Sequence, residues 1–171
     1  WQYQKNGVSI QLLVEKALSK ILKSKIRISG SGRTDAGVHA TGQSANFYSE
    51  KKILNKFQFL NSINFFLKET DISIIDLKKK NKNFHARHSV KKKIYKYIIM
   101  NRETYSPIFK KRSWQIKKKL NLPQMKKGIK FFLGTHNFSA MRASSCTAKS
   151  PIRTITKAHI KKKKNCIIFI F

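Results

Sequence analysis

The segment whose residue types and spacing suit chemistry is Ser29-Gly30-Ser31-Gly32-Arg33-Thr34-Asp35-Ala36-Gly37-Val38-His39-Ala40. Its glycines at 30, 32 and 37 let the backbone take positive φ and approach a ligand closely. Between them stand a guanidinium and a carboxylate two residues apart, Arg33 and Asp35. The chain has only three aspartates, Asp35, Asp71 and Asp76, so one in this setting is conspicuous. A carboxylate on an exposed bend suits nucleophilic or acid–base work. Two phosphate-cradling patterns fail here: a dinucleotide fingerprint needs glycine where Asp35 stands, and a Walker loop needs Lys then Ser or Thr where Val38-His39 stands. A structural use stays open, with Asp35 in an Asx-turn or capping an amide and Arg33 as its surface ion-pair partner.

The elements that must position this loop follow from periodicity. Leu13, Val14, Ala17, Leu18, Ile21 and Leu22 recur at helical spacing behind a capping Ser9 and predict an amphipathic helix over 9–23. A β-rich stretch over 25–29 leads into the loop, and a second strand is expected over 41–48 beyond it. Next come a helix with Phe57, Leu60, Ile63, Asn64 and Leu67 on one side, a short strand over 72–77 and a Lys/Asn-rich linker over 78–83. The remainder reads as a strand over 94–99, a helix over 123–133 with Met125, Ile129, Phe132 and Leu133 inward, and strands over 152–160 and 166–171 joined by a turn over 161–165. This order lacks strict βαβ alternation and predicts an α+β fold, helices on one face of a largely antiparallel sheet. Two subdomains are expected, 1–82 carrying the loop and 83–171. The opening Trp1 and the unturned apolar ending suggest a chain truncated at both ends.

The net charge of +31 points to a polyanionic partner. Of 38 basic residues only seven are Arg, and the Lys, Asn, Ile and Phe bias is what an A+T-rich coding sequence produces, so a merely solvated lysine surface stays open. Cys146 and Cys166 lack the spacing of a zinc site or disulfide framework. No apolar run approaches the roughly 20 residues of a membrane span, so no membrane is expected and the cytoplasm is the default. His85 and His88, on a segment read as extended, would fall on opposite faces, which argues against metal.

Gly32 to Ala40, GRTDAGVHA, with Gly42-Gln43, resembles the active-site signature of the tRNA pseudouridine synthase family commonly called TruA. Phe84-His85-Ala86-Arg87-His88-Ser89, then Tyr95 to Ile99 with Asn101, resembles the family's second block. Gly134 to Ser139 with Arg142-Ala143, and Ser150 to Arg153, resemble its third, and Trp1-Gln2 resembles the end of its first strand. The resemblance covers nearly the whole chain. It implies two ferredoxin-like (RRM-like) subdomains with joined sheets, a positively charged cleft between them, and a homodimer. The implied activity is isomerisation of uridine to pseudouridine in the tRNA anticodon stem-loop, at nucleotides 38 to 40, with no metal, redox or small-molecule cofactor.

By the same resemblance Asp35 is the catalytic carboxylate and Arg33 assists base flipping. Tyr95 stacks on the target base and serves proton transfer, with Tyr97 the lesser choice and an ordinary buried aromatic the alternative. Arg142 and Arg87 are phosphate contacts or structural ion pairs, while Thr34, His39 and Gln43 support the loop or touch the RNA backbone. Lysine clusters at 78–80, 91–93, 117–119 and 161–164 add sequence-independent attraction to tRNA. The family's closing portion, including a further arginine motif, is not in this chain, which leaves activity of the fragment and its dimerisation open. The rival readings are a cationic RNA-binding scaffold without catalysis, which has no use for a carboxylate at Asp35, and a related synthase acting elsewhere on RNA.

Overall fold

A computed structural model describes residues 1–143 and 148–171, so Cys146 lies outside the described residues. The fold is α+β and divides into two compact units, Trp1–Lys91 and Lys92–Phe171. Residues 83–91, grouped with the second subdomain by composition, sit with the first unit: Ala86 is buried and its N–H donates to Asn46 Oδ1 at 2.8 Å.

In the first unit, α1 (Ile10–Leu22) begins at Ser9, whose Oγ accepts the Leu12 N–H at 3.2 Å, and ends at Lys23 with φ 49°. The predicted stripe faces inward, burying Val14, Ala17, Leu18 and Leu22 with Leu13 and Ile21 half-covered beside them. β1 (Ile28–Gly30) pairs antiparallel with β2 (Ala45–Phe47), Gly30 opposite Ala45, so the two strands form the base of the glycine loop. α2 (Lys56–Leu67), capped by Asn55 Oδ1, packs Phe59, Ile63 and Leu67 against α1. Ile63 and Leu67 are almost completely buried, each a contribution of about 1.5–3 kcal/mol.

Two expectations are corrected here. Phe57 is 73% exposed, and Phe59 takes its place in the core, because α2 carries aromatic residues on several faces and its pattern does not single one out. Residues 72–77 form no strand among the described residues. Ile72, Ile74 and Leu77 pack on the core, but the backbone is held by a helix side chain, Asn64, which accepts the Ile74 N–H at 2.8 Å and donates to the Ile74 carbonyl at 2.9 Å.

One buried carboxylate ties α1 to the strand that feeds the loop. Glu15 accepts from the Ile28 N–H at 3.0 Å, Gln11 Nε2 at 2.9 Å and Arg27 at 2.7 Å, while Gln11 also donates to the Ile28 carbonyl at 3.2 Å. Burial disfavours its charge, but the Ile28 N–H, Gln11 and Arg27 outweigh that and hold its carboxyl below the usual range. A group depressed in this way stabilises the fold above its unfolded value and loses that contribution as pH falls through its folded value. We therefore expect Glu15→Ala to cost about 1–3 kcal/mol at neutral pH, chiefly by orphaning the Ile28 N–H. The difference from wild type in urea melts should shrink below about pH 4, near the ordinary glutamate value.

The second unit contains β3 (Lys96–Asn101), β4 (Trp114–Ile116), α3 (Leu122–Gly128), β5 (Gly134–Asn137), β6 (Ile152–Ile155), β7 (His159–Lys163) and β8 (Cys166–Ile170). Four strands form a sheet in the order β4-β3-β8-β7, in which β3 and β8 and the β7–β8 hairpin are antiparallel. β4 runs parallel to β3, a departure from an all-antiparallel reading, and Asn101 staples the pair by donating to the Ile116 and Lys118 carbonyls at 2.9 and 2.8 Å. Ile99, Ile129, Ile160 and Ile167 form this unit's core, with Met125 and Phe132 packed against it.

The helix expected over 123–133 stops at Gly128 and continues as a 3-10 turn, Ile129–Phe132. Leu133 is then turned outward and is 41% exposed. The single strand expected over 152–160 is two: β6 pairs with β5, and β7 pairs with β8. The turn joining β7 to β8 accordingly narrows to Lys164 and Asn165, Lys164 adopting φ 50°.

Candidate active site

The loop that carries Arg33, Thr34, Asp35 and His39 leaves β1 at Gly30 and returns to β2 at Ala45, so strand pairing sets the distance between its two ends. Pairing continues one step past the strands, with the Ser31 N–H donating to the Ser44 carbonyl at 2.8 Å. The Gln43 amide then closes the neck: Nε2 donates to the Gly32 carbonyl at 2.6 Å, and Oε1 accepts from Ser31 Oγ at 2.9 Å. Behind it the Trp1 indole packs against Gly30, where an added Cβ would stand 2.6 Å from the ring nitrogen, so any side chain there would have to displace the ring. The Trp1 nitrogen donates to the Thr34 carbonyl at 3.2 Å.

Farther out, the Val38 N–H donates to the Asp35 carbonyl at 3.3 Å across a turn in which Gly37 takes φ 79°. That value is what the third position of such a turn needs, and a side chain there costs about 1–2 kcal/mol. The Asp35 side chain is exposed, and among the described residues it accepts no hydrogen bond and meets no cation. Neither structural use considered above is therefore formed: there is no Asx-turn through its carboxylate and no ion pair with Arg33. Arg33 is exposed two residues away, Thr34 is half-buried, and His39 is exposed.

In a chain of net charge +31 Asp35 is not alone in this: Glu50, Asp71 and Glu103 are also exposed and unpaired among the described residues, so what sets Asp35 apart is its place on the clamped glycine loop, while the other three acids have cations beside them. Glu15 is paired with Arg27 and Glu69 lies 3.9 Å from Lys68. Lys56, 2.7 Å from Asp76, and the Leu77 N–H bring the Asp76 carboxyl down to about 2.

Arg87 lies on a turn anchored close to the loop's base. Asn46, which accepts from Ala86, sits on β2 one residue from Ala45 and opposite Ser29. The turn is closed by the His88 and Ser89 N–H groups donating to the His85 carbonyl at 3.0 and 2.8 Å. It corrects the reading of His85 and His88 as pointing to opposite faces: the curled backbone brings their rings to 4.6 Å. Among the described residues no group of three or more His, Cys, Asp or Glu is arranged to hold a metal ion, and no helix is long and apolar enough to cross a membrane. The Arg87 side chain is exposed and makes no hydrogen bond or ion pair among the described residues.

Tyr95 and Arg142 belong to the second unit. Tyr95 extends the β3–β8 pairing, exchanging backbone hydrogen bonds of 2.9 Å with Phe171 in both directions. Its ring is 62% exposed, so it is not the ordinary buried aromatic considered above; Tyr97, two residues along the same strand face, is equally exposed. Arg142 is exposed, follows a 3-10 turn over Ser139–Met141, and donates to the Ala148 carbonyl at 2.5 Å.

Sequence reasoning passed over Glu15 and Asn46 and gave Gln43 no specific bond. Glu15 had one available signal, a charged residue set beside Val14 on the inward side of an amphipathic helix.

The chain is thus a protein of two α+β units, the first of which presents, on a connection between antiparallel strands clamped at its neck, an acid with no partner among the described residues. No family model matches the chain. It is 53% identical over 163 residues to tRNA pseudouridine synthase A of Pelagibacter ubique (strain HTCC1062), covering 95% of this chain and 66% of that protein. It is 41% identical over 169 residues to the protein of the same name from Thermoanaerobacter sp. (strain X514), covering 98% and 68%. A third, from Neorickettsia sennetsu (strain ATCC VR-367 / Miyayama), is 38% identical over 169 residues, covering 99% and 70%. The chain thus spans about two thirds of the length of these curated relatives. It belongs to the tRNA pseudouridine synthase A family.

Proposed function

We propose that the protein isomerises uridine to pseudouridine in tRNA, within the anticodon stem-loop, with Asp35 as the catalytic carboxylate. The observation that carries this reading is the Asp35 side chain, exposed and without a partner among the described residues, on a loop whose neck is hydrogen-bonded shut. The names of its relatives supply the reaction and the substrate class.

The isomerisation breaks the bond from uracil N1 to the ribose and forms one from C5, with a proton leaving C5 and one arriving at N1. Nothing is consumed, and the demand on the protein is a carboxylate able to attack the sugar or the base, or to assist departure and hold the intermediate. A stacked uridine must first be flipped out at a cost of a few kcal/mol. Arg33, exposed beside Asp35, offsets that cost by occupying the vacated space or pairing with phosphate. Tyr95 supplies an exposed ring for base stacking and proton transfer. Arg87 and Arg142 contact phosphate, while Thr34 and His39 support the loop or touch the RNA backbone.

The order helix, strand, strand, helix in the first unit is the centre of a ferredoxin-like βαββαβ unit, which supports that architecture for the subdomains. We carry over the homodimer and a cytoplasmic setting on the same reading. The test is to incubate the intact protein with an unmodified tRNA transcript and map new pseudouridine by chemical labelling and primer extension. We expect modification in the anticodon stem-loop; none anywhere in the transcript would refute the proposal.

A further inference from the structure

We infer that Gln43 is a positioning residue for the reaction, the clasp that sets where Asp35 stands; this rests on the proposed function. Its amide orientation is fixed by chemistry. The Gly32 carbonyl can only accept, so the atom 2.6 Å from it is the donating Nε2, which leaves Oε1 to accept from Ser31 Oγ at 2.9 Å. One side chain from the returning limb of the loop therefore holds two successive residues of the outgoing limb. Asp35 lies three residues beyond Gly32, and between them only the Trp1 to Thr34 contact adds a hydrogen bond to the backbone among the described residues.

Residues 35–42 are exposed, and the one backbone bond among them is the Asp35–Val38 turn. The two Gln43 bonds, with the Ser31–Ser44 pairing below them and the Trp1–Thr34 bond above, fix the outgoing limb from which Asp35 projects. A displacement of about 1 Å at a reacting group costs on the order of 10²-fold in rate. Gln43 touches no reacting atom in this scheme, and its effect passes entirely through the loop.

The decisive comparison is Gln43→Glu beside Gln43→Ala. The glutamate matches the glutamine in size but presents a second acceptor to the Gly32 carbonyl, so a space-filling role would leave it like wild type. We expect both variants to lose about 10²-fold in kcat, with KM and tRNA affinity within about twofold and the melting temperature nearly unchanged. Ser31→Ala, which removes one arm only, should lose less. Amide hydrogen exchange should accelerate in both Gln43 variants at Ser31 and Val38, the loop amides that donate backbone hydrogen bonds, while α1 and α2 stay protected. Wild-type kcat in Gln43→Glu, a loss confined to KM, or unchanged exchange in the loop would overturn the inference. The exchange result stands whatever the reaction is, whereas an inactive wild-type protein would sink the proposed function instead.

Discussion

Asp35→Asn is expected to abolish conversion of uridine, with turnover falling by at least about 10³-fold, while the protein folds and still binds tRNA. The magnitude follows from the role: an attacking or charge-holding carboxylate has no substitute on this loop, and losing such a group removes most of the rate enhancement. Folding should survive because the carboxylate has no intramolecular partner among the described residues, so the change lies within about 0.5 kcal/mol. Binding should survive because removing one negative charge from a chain at +31 cannot weaken its attraction to a polyanion. Wild-type pseudouridine levels in primer extension would show that Asp35 is not the catalytic group. Loss of tRNA binding in a filter assay would show that it acts in recognition.

Arg33→Ala should slow single-turnover conversion at saturating tRNA by roughly 10²-fold. That corresponds to about 2.7 kcal/mol, a sizeable share of the cost of drawing a uridine from its stack. Alanine at any one lysine of the clusters at 78–80, 91–93, 117–119 or 161–164 should change affinity a few-fold at most and leave the saturated rate alone, since such contacts add diffuse attraction. Equal effects from Arg33 and a cluster lysine would reduce Arg33 to one more phosphate contact.

What the sequence discloses here is what depends on neighbours in the chain. α1 is legible to within a residue because its stripe and its Ser9 cap are local signals; of the three loop glycines, all free to take positive φ, only Gly37 does so. Most of the misses involve choices made at long range. Nothing in the run from Ile152 to Ile160 marks a break, since no glycine or proline interrupts it, and only the competing partners β5 and β8 divide it. The preference for Phe59 over Phe57 is set by where α1 lies. The Gln43 clasp spans 11 residues, Glu15 reaches Ile28 across 13, and Asn46 meets Ala86 across 40, separations at which no periodicity survives. His85 and His88 were misjudged for a simpler reason: an extended backbone was assumed where a turn forms.

The shut neck beneath an exposed loop separates two properties that most residues of a small protein share. Apart from Gly37, whose φ of 79° resists a side chain, substitutions along 35–42 remove almost nothing from the hydrophobic interior, so melting curves would score this stretch as dispensable while an activity screen would score it as intolerant. The core clusters should show the reverse. Residues whose replacement silences the enzyme without softening it would then outline the loop proposed to carry the chemistry from mutational data alone.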